Sequence, residues 1–219
     1  MKFSHNMHKV AQMKPDYLGF IFYEKSRRYM ADTLKPKDLQ ELPRQTKKVG
    51  VFVNATTKEM LKQAKKYQLD FLQLHGQESP EQCEEIKKAG KKVIKVFSIG
   101  QQDFDFSQLE AYKPHVSYFL FDTAGKHPGG NGETFDWGQL RSYDQEIPFF
   151  LSGGISLDNV PQLRELSFFN IHAIDVNSRF EIEPGLKDVN LVQKLKDKLY
   201  GRSERKSEKV PFQFRRKNQ

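Results

Sequence analysis

A repeated alternation constrains this chain more than any other feature. Seven short runs rich in β-branched, aromatic and leucine residues recur along it: DYLGFIFY (16–23), KVGVFVN (48–54), DFLQL (70–74), KVIKVF (92–97), SYFLFD (117–122), PFFLS (148–152) and HAIDV (172–176). The runs are nearly continuously apolar, as expected of parallel strands covered on both faces. Helical segments with polar faces fall between them, near 36–43, 57–67, 79–89, 105–112, 136–142 and 156–167, and a last one covers 188–199. Thr57, Ser79, Ser107 and Ser156 stand at or near four of these starts as caps. Ahead of the first strand, Phe3, Met7, Val10 and Ala11 follow the spacing of an amphipathic helix with Ser4 as its N-cap. The chain therefore opens on a helix.

Seven strands and eight helices in strict alternation, beginning and ending with helix, exceed what an open doubly wound sheet sustains. Eight strand-helix units in roughly 200–250 residues describe a (β/α)8 TIM barrel. The expected fold is thus a barrel domain over 1–200 lacking strand 1, which belongs before Met1, followed by a basic tail over 201–219. A gap in a closed barrel leaves two parallel edges with unpaired backbone groups.

Composition removes several alternatives. Of the 219 residues 37% are hydrophobic and 12% aromatic, enough for a sizeable core. No stretch approaches the roughly 20 apolar residues that span a bilayer, and the polar first ten residues lack the apolar centre of a signal peptide. The expectation is a cytoplasmic protein with no membrane partner. The single cysteine, Cys83, excludes an intramolecular disulfide and a multi-cysteine zinc site. It falls mid-helix three residues before Ile86, as an inward-facing packing residue. His5 and His8 share a helix face without an obvious third ligand, so no metal is expected. The net charge of +8 invites a nucleic-acid reading. From Gly201 on, however, seven Lys/Arg stand against Glu204 and Glu208, so most of the excess lies in a tail with the composition of a solvated extension. No specific nucleic acid is expected; the rival, a basic-tail binder, would show salt-sensitive affinity.

In such a barrel the chemistry sits at the C-terminal ends of the strands, with a phosphate site commonly near the last two. Ser152-Gly153-Gly154 and Asn177-Ser178 would offer backbone N–H groups and hydroxyls to an anion; adjacent glycines also suit a plain tight turn. Asp122 ends its strand ahead of a loop carrying Gly125, Gly129, Gly130 and Gly132, the makings of a proton donor under a lid. The alternative is an aspartate bonded only to its own loop. Arg28 and His75 also fall at strand ends. The arginine suits a carboxylate or a surface salt bridge, and the histidine a ligand contact or a structural hydrogen bond.

Six segments in order, LGFIFYEKSRRY, KVGVFVN, LQLHGQE, FDTAGKHPGGNGETFDW, LSGGISLDNV and DVNSRFEIEPGLKD, resemble the phosphoribosylanthranilate isomerase family of tryptophan biosynthesis, from about Phe3 to Leu199. The resemblance implies a cofactor-free Amadori rearrangement of N-(5-phosphoribosyl)anthranilate to the aminodeoxyribulose phosphate, by a monomer or homodimer. It implies Asp122 as the general acid on the ring oxygen, Arg28 as receptor of the anthranilate carboxylate, His75 among the substrate contacts, and Gly153, Gly154 and Ser178 as the phosphate site. Gly129, Gly130 and Gly132 belong to the implied lid. The family's general base is a cysteine in a first-strand motif ending Cys-Gly, and gapless matching puts Met1 immediately after it. Either the natural start lies a few residues upstream, or a diverged protein keeps the ligand site without turnover. Two departures stand out: Gly132-Glu133 where the family has Gly-Lys, and Ser178-Arg179-Phe180 where it has Ser-Gly-Val. Arg179 would then serve as a phosphate ligand or point to solvent. Indole-3-glycerol phosphate synthase, another barrel of the pathway, uses a lysine and glutamate set that these strand ends lack.

Overall fold

The computed structural model describes residues 1–100, 102–123 and 136–201; the expected lid glycines and nearly all of the expected tail lie outside them. Seven strands form one parallel sheet in chain order: β1 (Tyr17–Ile21), β2 (Lys47–Phe52), β3 (Phe71–Leu74), β4 (Lys92–Ile99), β5 (Tyr118–Thr123), β6 (Phe149–Leu151) and β7 (Ile171–Ile174). All seven expected strands are present. A sheet paired in this order accommodates its twist by curling. Tyr17 on β1 reaches across to the other end, its ring 5.0 Å from Phe150 on β6 and its hydroxyl sharing a 2.6 Å hydrogen bond with Nε2 of His172 on β7. Inward positions Val49, Phe71, Ile94, Val96, Leu120 and Phe150 fill the inside of the curl, and a larger core lies between the sheet and its outer helices. β1 and β7 are not hydrogen-bonded to each other, so the curl stops short of a closed barrel.

The helices are α1 (Ser4–Ala11), α2 (Pro36–Gln40), α3 (Thr57–Tyr67), α4 (Pro80–Lys88), α5 (Val160–Glu165) and α6 (Val189–Tyr200). The helices expected over 105–112 and 136–142 are instead 3-10 turns at Phe106–Leu109, Lys113–His115 and Trp137–Ser142. Asp105 and Asp136 accept the N–H groups of Ser107 and Gly138, an Asx turn that favours the tighter geometry. Ser79 caps α4 as expected, but the cap of α3 is Thr56, in a reciprocal box with Glu59. Phe3, without a side-chain bond, occupies the N-cap of α1, while Ser4 Oγ donates to Asp38. A short antiparallel hairpin, β8 (Glu181–Glu183) with β9 (Leu186–Lys187), follows β7 and was not anticipated. Among the described residues no helix is long and apolar enough to cross a membrane.

Candidate active site

Parallel strands place all their C-terminal ends on one rim, and the expected site residues that are described follow those ends. Asp122 alternates inward with Tyr118 and Leu120 along β5, so its carboxylate faces the mouth of the curl. His75 follows β3, its N–H donating to the Phe52 carbonyl at 2.8 Å. Its Nε2 lies 3.6 Å from Asp122 Oδ2, and the two side chains are 21% and 13% exposed. A short polar step thus connects two strand ends. Asp175, just past β7, joins them from the other side: burial pushes its carboxyl above the usual aspartate range and the charge of Asp122 adds to the rise, while Lys187 opposes it.

Around His75 the rim is held by a buried ion pair that sequence reading passed over. Lys95 Nζ, on the outer face of β4, donates to Glu78 Oε2 at 3.0 Å and to the Gly76 carbonyl at 2.8 Å. Glu78 in turn accepts the N–H groups of Asn54 at 2.8 Å and Gly76 at 2.9 Å, tying the ends of β2 and β3 to the middle of β4.

At β6 the expected phosphate segment is a turn rather than a capped helix start. Gly153 (φ +88°) and Gly154 (φ +62°) are left-handed, and a Cβ on Gly153 would meet Thr123 Oγ1 and come within 2.6 Å of the Thr123 N–H. The helix expected from Ser156 begins at Val160, because Asn159 bridges the turn: its Oδ1 accepts the Ser156 N–H at 2.9 Å and its Nδ2 donates to the Gly154 carbonyl at 3.0 Å. Ser178 opens the 3-10 turn Ser178–Phe180 at the next strand end, and Arg179 is exposed. The Asn177 side chain is already engaged, its Oδ1 accepting from Lys187 Nζ at 2.6 Å.

Arg28 follows β1 in a turn closed by Ser26, whose Oγ accepts the Arg28 N–H at 3.1 Å. Its guanidinium does not lie open as a free fork: Nε and Nη2 donate to Glu181 Oε2 at 2.9 and 2.7 Å. Cys83 is buried in α4, with burial pushing its thiol up to about 12, so it stands apart from the rim chemistry.

A family model described as N-(5'-phosphoribosyl)anthranilate (PRA) isomerase matches residues 2–198. The chain belongs to the phosphoribosylanthranilate isomerase family. It is 45% identical over 193 residues to the N-(5'-phosphoribosyl)anthranilate isomerase of Parabacteroides distasonis, covering 87% of this chain and 86% of the relative. The isomerase of Phocaeicola vulgatus is 41% identical over 188 residues, covering 86% and 89% respectively. Among solved structures, phosphoribosylanthranilate isomerase from Thermotoga maritima superposes with a TM-score of 0.80 at 31% identity, covering 92% of this chain and 96% of that one. The sheet is therefore that of a phosphoribosylanthranilate isomerase (β/α)8 barrel, of which seven strands stand among the described residues. Another isomerase structure, matching with a TM-score of 0.75 at 29% identity over 92% of this chain and 95% of its own, holds reduced 1-(o-carboxyphenylamino)-1-deoxyribulose 5-phosphate. A further one is described as monomers generated from the dimeric Thermotoga maritima isomerase.

Proposed function

We infer that the chain isomerises N-(5'-phosphoribosyl)anthranilate to 1-(2-carboxyphenylamino)-1-deoxyribulose 5-phosphate, in the cytoplasm, with the phosphorylated small molecule as its partner. Family membership over nearly the whole described sheet carries this reading. The reaction opens the ribose ring and then moves a proton from C2. Asp122 is proposed as the acid that protonates the ring oxygen as the C1–O bond breaks. His75, at 3.6 Å, is close enough to hold that carboxyl in place or to touch the opened sugar. Arg28 is proposed to receive the anthranilate carboxylate, and the turn at Gly153 and Gly154, with Ser178, to receive the phosphate through N–H groups and a hydroxyl. The proton on C2 needs a base, and Cys83, buried in a helix with a raised pKa, is not placed to supply it.

That last observation favours a second reading, ligand binding without turnover. Two measurements on one protein separate the two: calorimetric titration with the reduced product analogue, and chromatographic detection of product from substrate. Binding with turnover supports the isomerase; binding alone supports the second reading. For an active chain, Asp122→Asn is expected to lower turnover by about 10²- to 10⁴-fold while analogue affinity stays near the parent value. Turnover within about threefold of the parent would remove Asp122 from the mechanism.

A further inference from the structure

We propose that Glu181 is a positioning residue: it clamps one edge of the Arg28 guanidinium so that the other edge is presented to the ligand carboxylate. The proposal rests on the reading of Arg28 as carboxylate receptor and adds the group that aims it.

The two residues come from opposite ends of the sheet, Arg28 after β1 and Glu181 after β7, and meet in a nearly closed pocket, their side chains 16% and 4% exposed. Glu181 is saturated. Oε2 takes Nε and Nη2 of Arg28, and Oε1 accepts from the Gly185 N–H at 3.0 Å and from Lys187 Nζ at 3.2 Å. The β8–β9 hairpin exists to make this possible, since it pairs Glu181 directly with Lys187 across the ladder. Its turn depends on Gly185 at φ +89°, where a Cβ would come within 2.6 Å of Lys2. Lys187 is itself fixed, by Asn177 through Nζ and by Asn6, whose amide bonds both the N–H and the carbonyl of Lys187 at 2.8 Å.

Burying a carboxylate with two cations is a poor way to gain stability, because desolvation cancels most of the attraction. It is a good way to hold a planar group. An arginine carries five N–H donors in a rigid fork. With Nε and Nη2 tied to Glu181, the guanidinium plane is set and Nη1 has no partner among the described residues. Burial alone would raise the Glu181 carboxyl, but its bonds to Arg28 and the charge of Lys187 outweigh that and hold it below the usual glutamate range, so it stays an acceptor at neutral pH.

The test is calorimetric titration of the full chain with two probes, the reduced product analogue and the same compound with the ring carboxyl replaced by hydrogen. The parent is expected to prefer the carboxylated probe. Glu181→Gln is expected to weaken that probe by roughly 10- to 100-fold, the size of one lost hydrogen bond to a charged group, while leaving the other unchanged. In an Arg28→Met background the same change is expected to have no further effect. Glu181→Asp, which keeps the buried charge but withdraws it by one methylene, gives the same selective loss and serves if the glutamine variant does not fold. A Glu181 variant that keeps the parent's preference overturns the proposal, as does one that weakens both probes in parallel. A parent without any preference overturns the reading of Arg28 and this proposal with it.

Discussion

Replacing Lys95 with methionine is expected to cost more stability than its place in an apolar strand suggests. The side chains of Lys95 and Glu78 are 3% and 0% exposed, so neither charge is screened by solvent. Methionine matches the volume of the lysine stem but removes three donated bonds, to Glu78, Gly76 and Leu74. The carboxylate keeps the N–H groups of Asn54 and Gly76 and loses its cation. Breaking one side of such a pair costs about 3–5 kcal/mol, a large part of a typical domain stability of about 5–15 kcal/mol. At about 2–4 °C per kcal/mol for a chain of this size, the melting temperature falls by roughly 6–20 °C. Urea unfolding followed by circular dichroism gives the free energy directly. Adding Glu78→Gln should recover most of the loss, because the amide oxygen still accepts from backbone N–H groups and carries no charge. A single variant that loses less than about 1 kcal/mol, or a double variant weaker than both singles, would refute the argument.

Gly153→Ala is expected to destabilise by more than about 1–3 kcal/mol and to weaken the reduced analogue, since it strains a residue at φ +88° and drives a methyl into Thr123, the neighbour of Asp122. Thermal melts and calorimetry check both halves. Burial holds the phenols of Tyr17 and Tyr143 above their usual value of 10.0. Their contribution is therefore complete below about pH 10 and is lost as pH rises through the higher folded values. Equilibrium unfolding across that window, with tyrosinate absorbance as monitor, should show ionisation and unfolding together. With its thiol pushed up to about 12, Cys83 is expected to resist a thiol reagent at pH 8 in the native protein and to react at once in urea.

The strands were legible because both faces of this sheet are covered, which forces runs such as SYFLFD to be apolar throughout. Helix ends were less so. Thr56, Asp105 and Asn159 do the local bonding in place of the expected Thr57, Ser107 and Ser156, and an Asx turn such as that of Asp105 or Asp136 is indistinguishable from a helix start by spacing alone. Asp122, Arg28 and His75 could be placed at strand ends from the runs that precede them. Glu78, Lys95, Glu181 and Lys187 were not singled out, although a signal was present: KVIKVF puts a lysine inside a buried run, and EIEPGLK puts opposite charges on either side of a Pro-Gly turn. A charged residue in an apolar run carries weight only once its partner is known, and Glu181 and Arg28 are 153 positions apart.

Sheet order that follows chain order also bears on how the molecule is made. Each strand leaving the ribosome meets a partner already synthesised, so the sheet can grow by successive short steps. The clamp on Arg28 cannot, because it waits for Glu181 and Lys187, and Asn6 waits 181 positions for its own bonds to Lys187. A nascent chain halted just after β7 would therefore carry all seven strands and an unaimed arginine. With Arg28 in its proposed role, probing stalled chains with the two analogues should give carboxylate discrimination only in those long enough to expose the hairpin, so that recognition of the carboxylate would come late in translation.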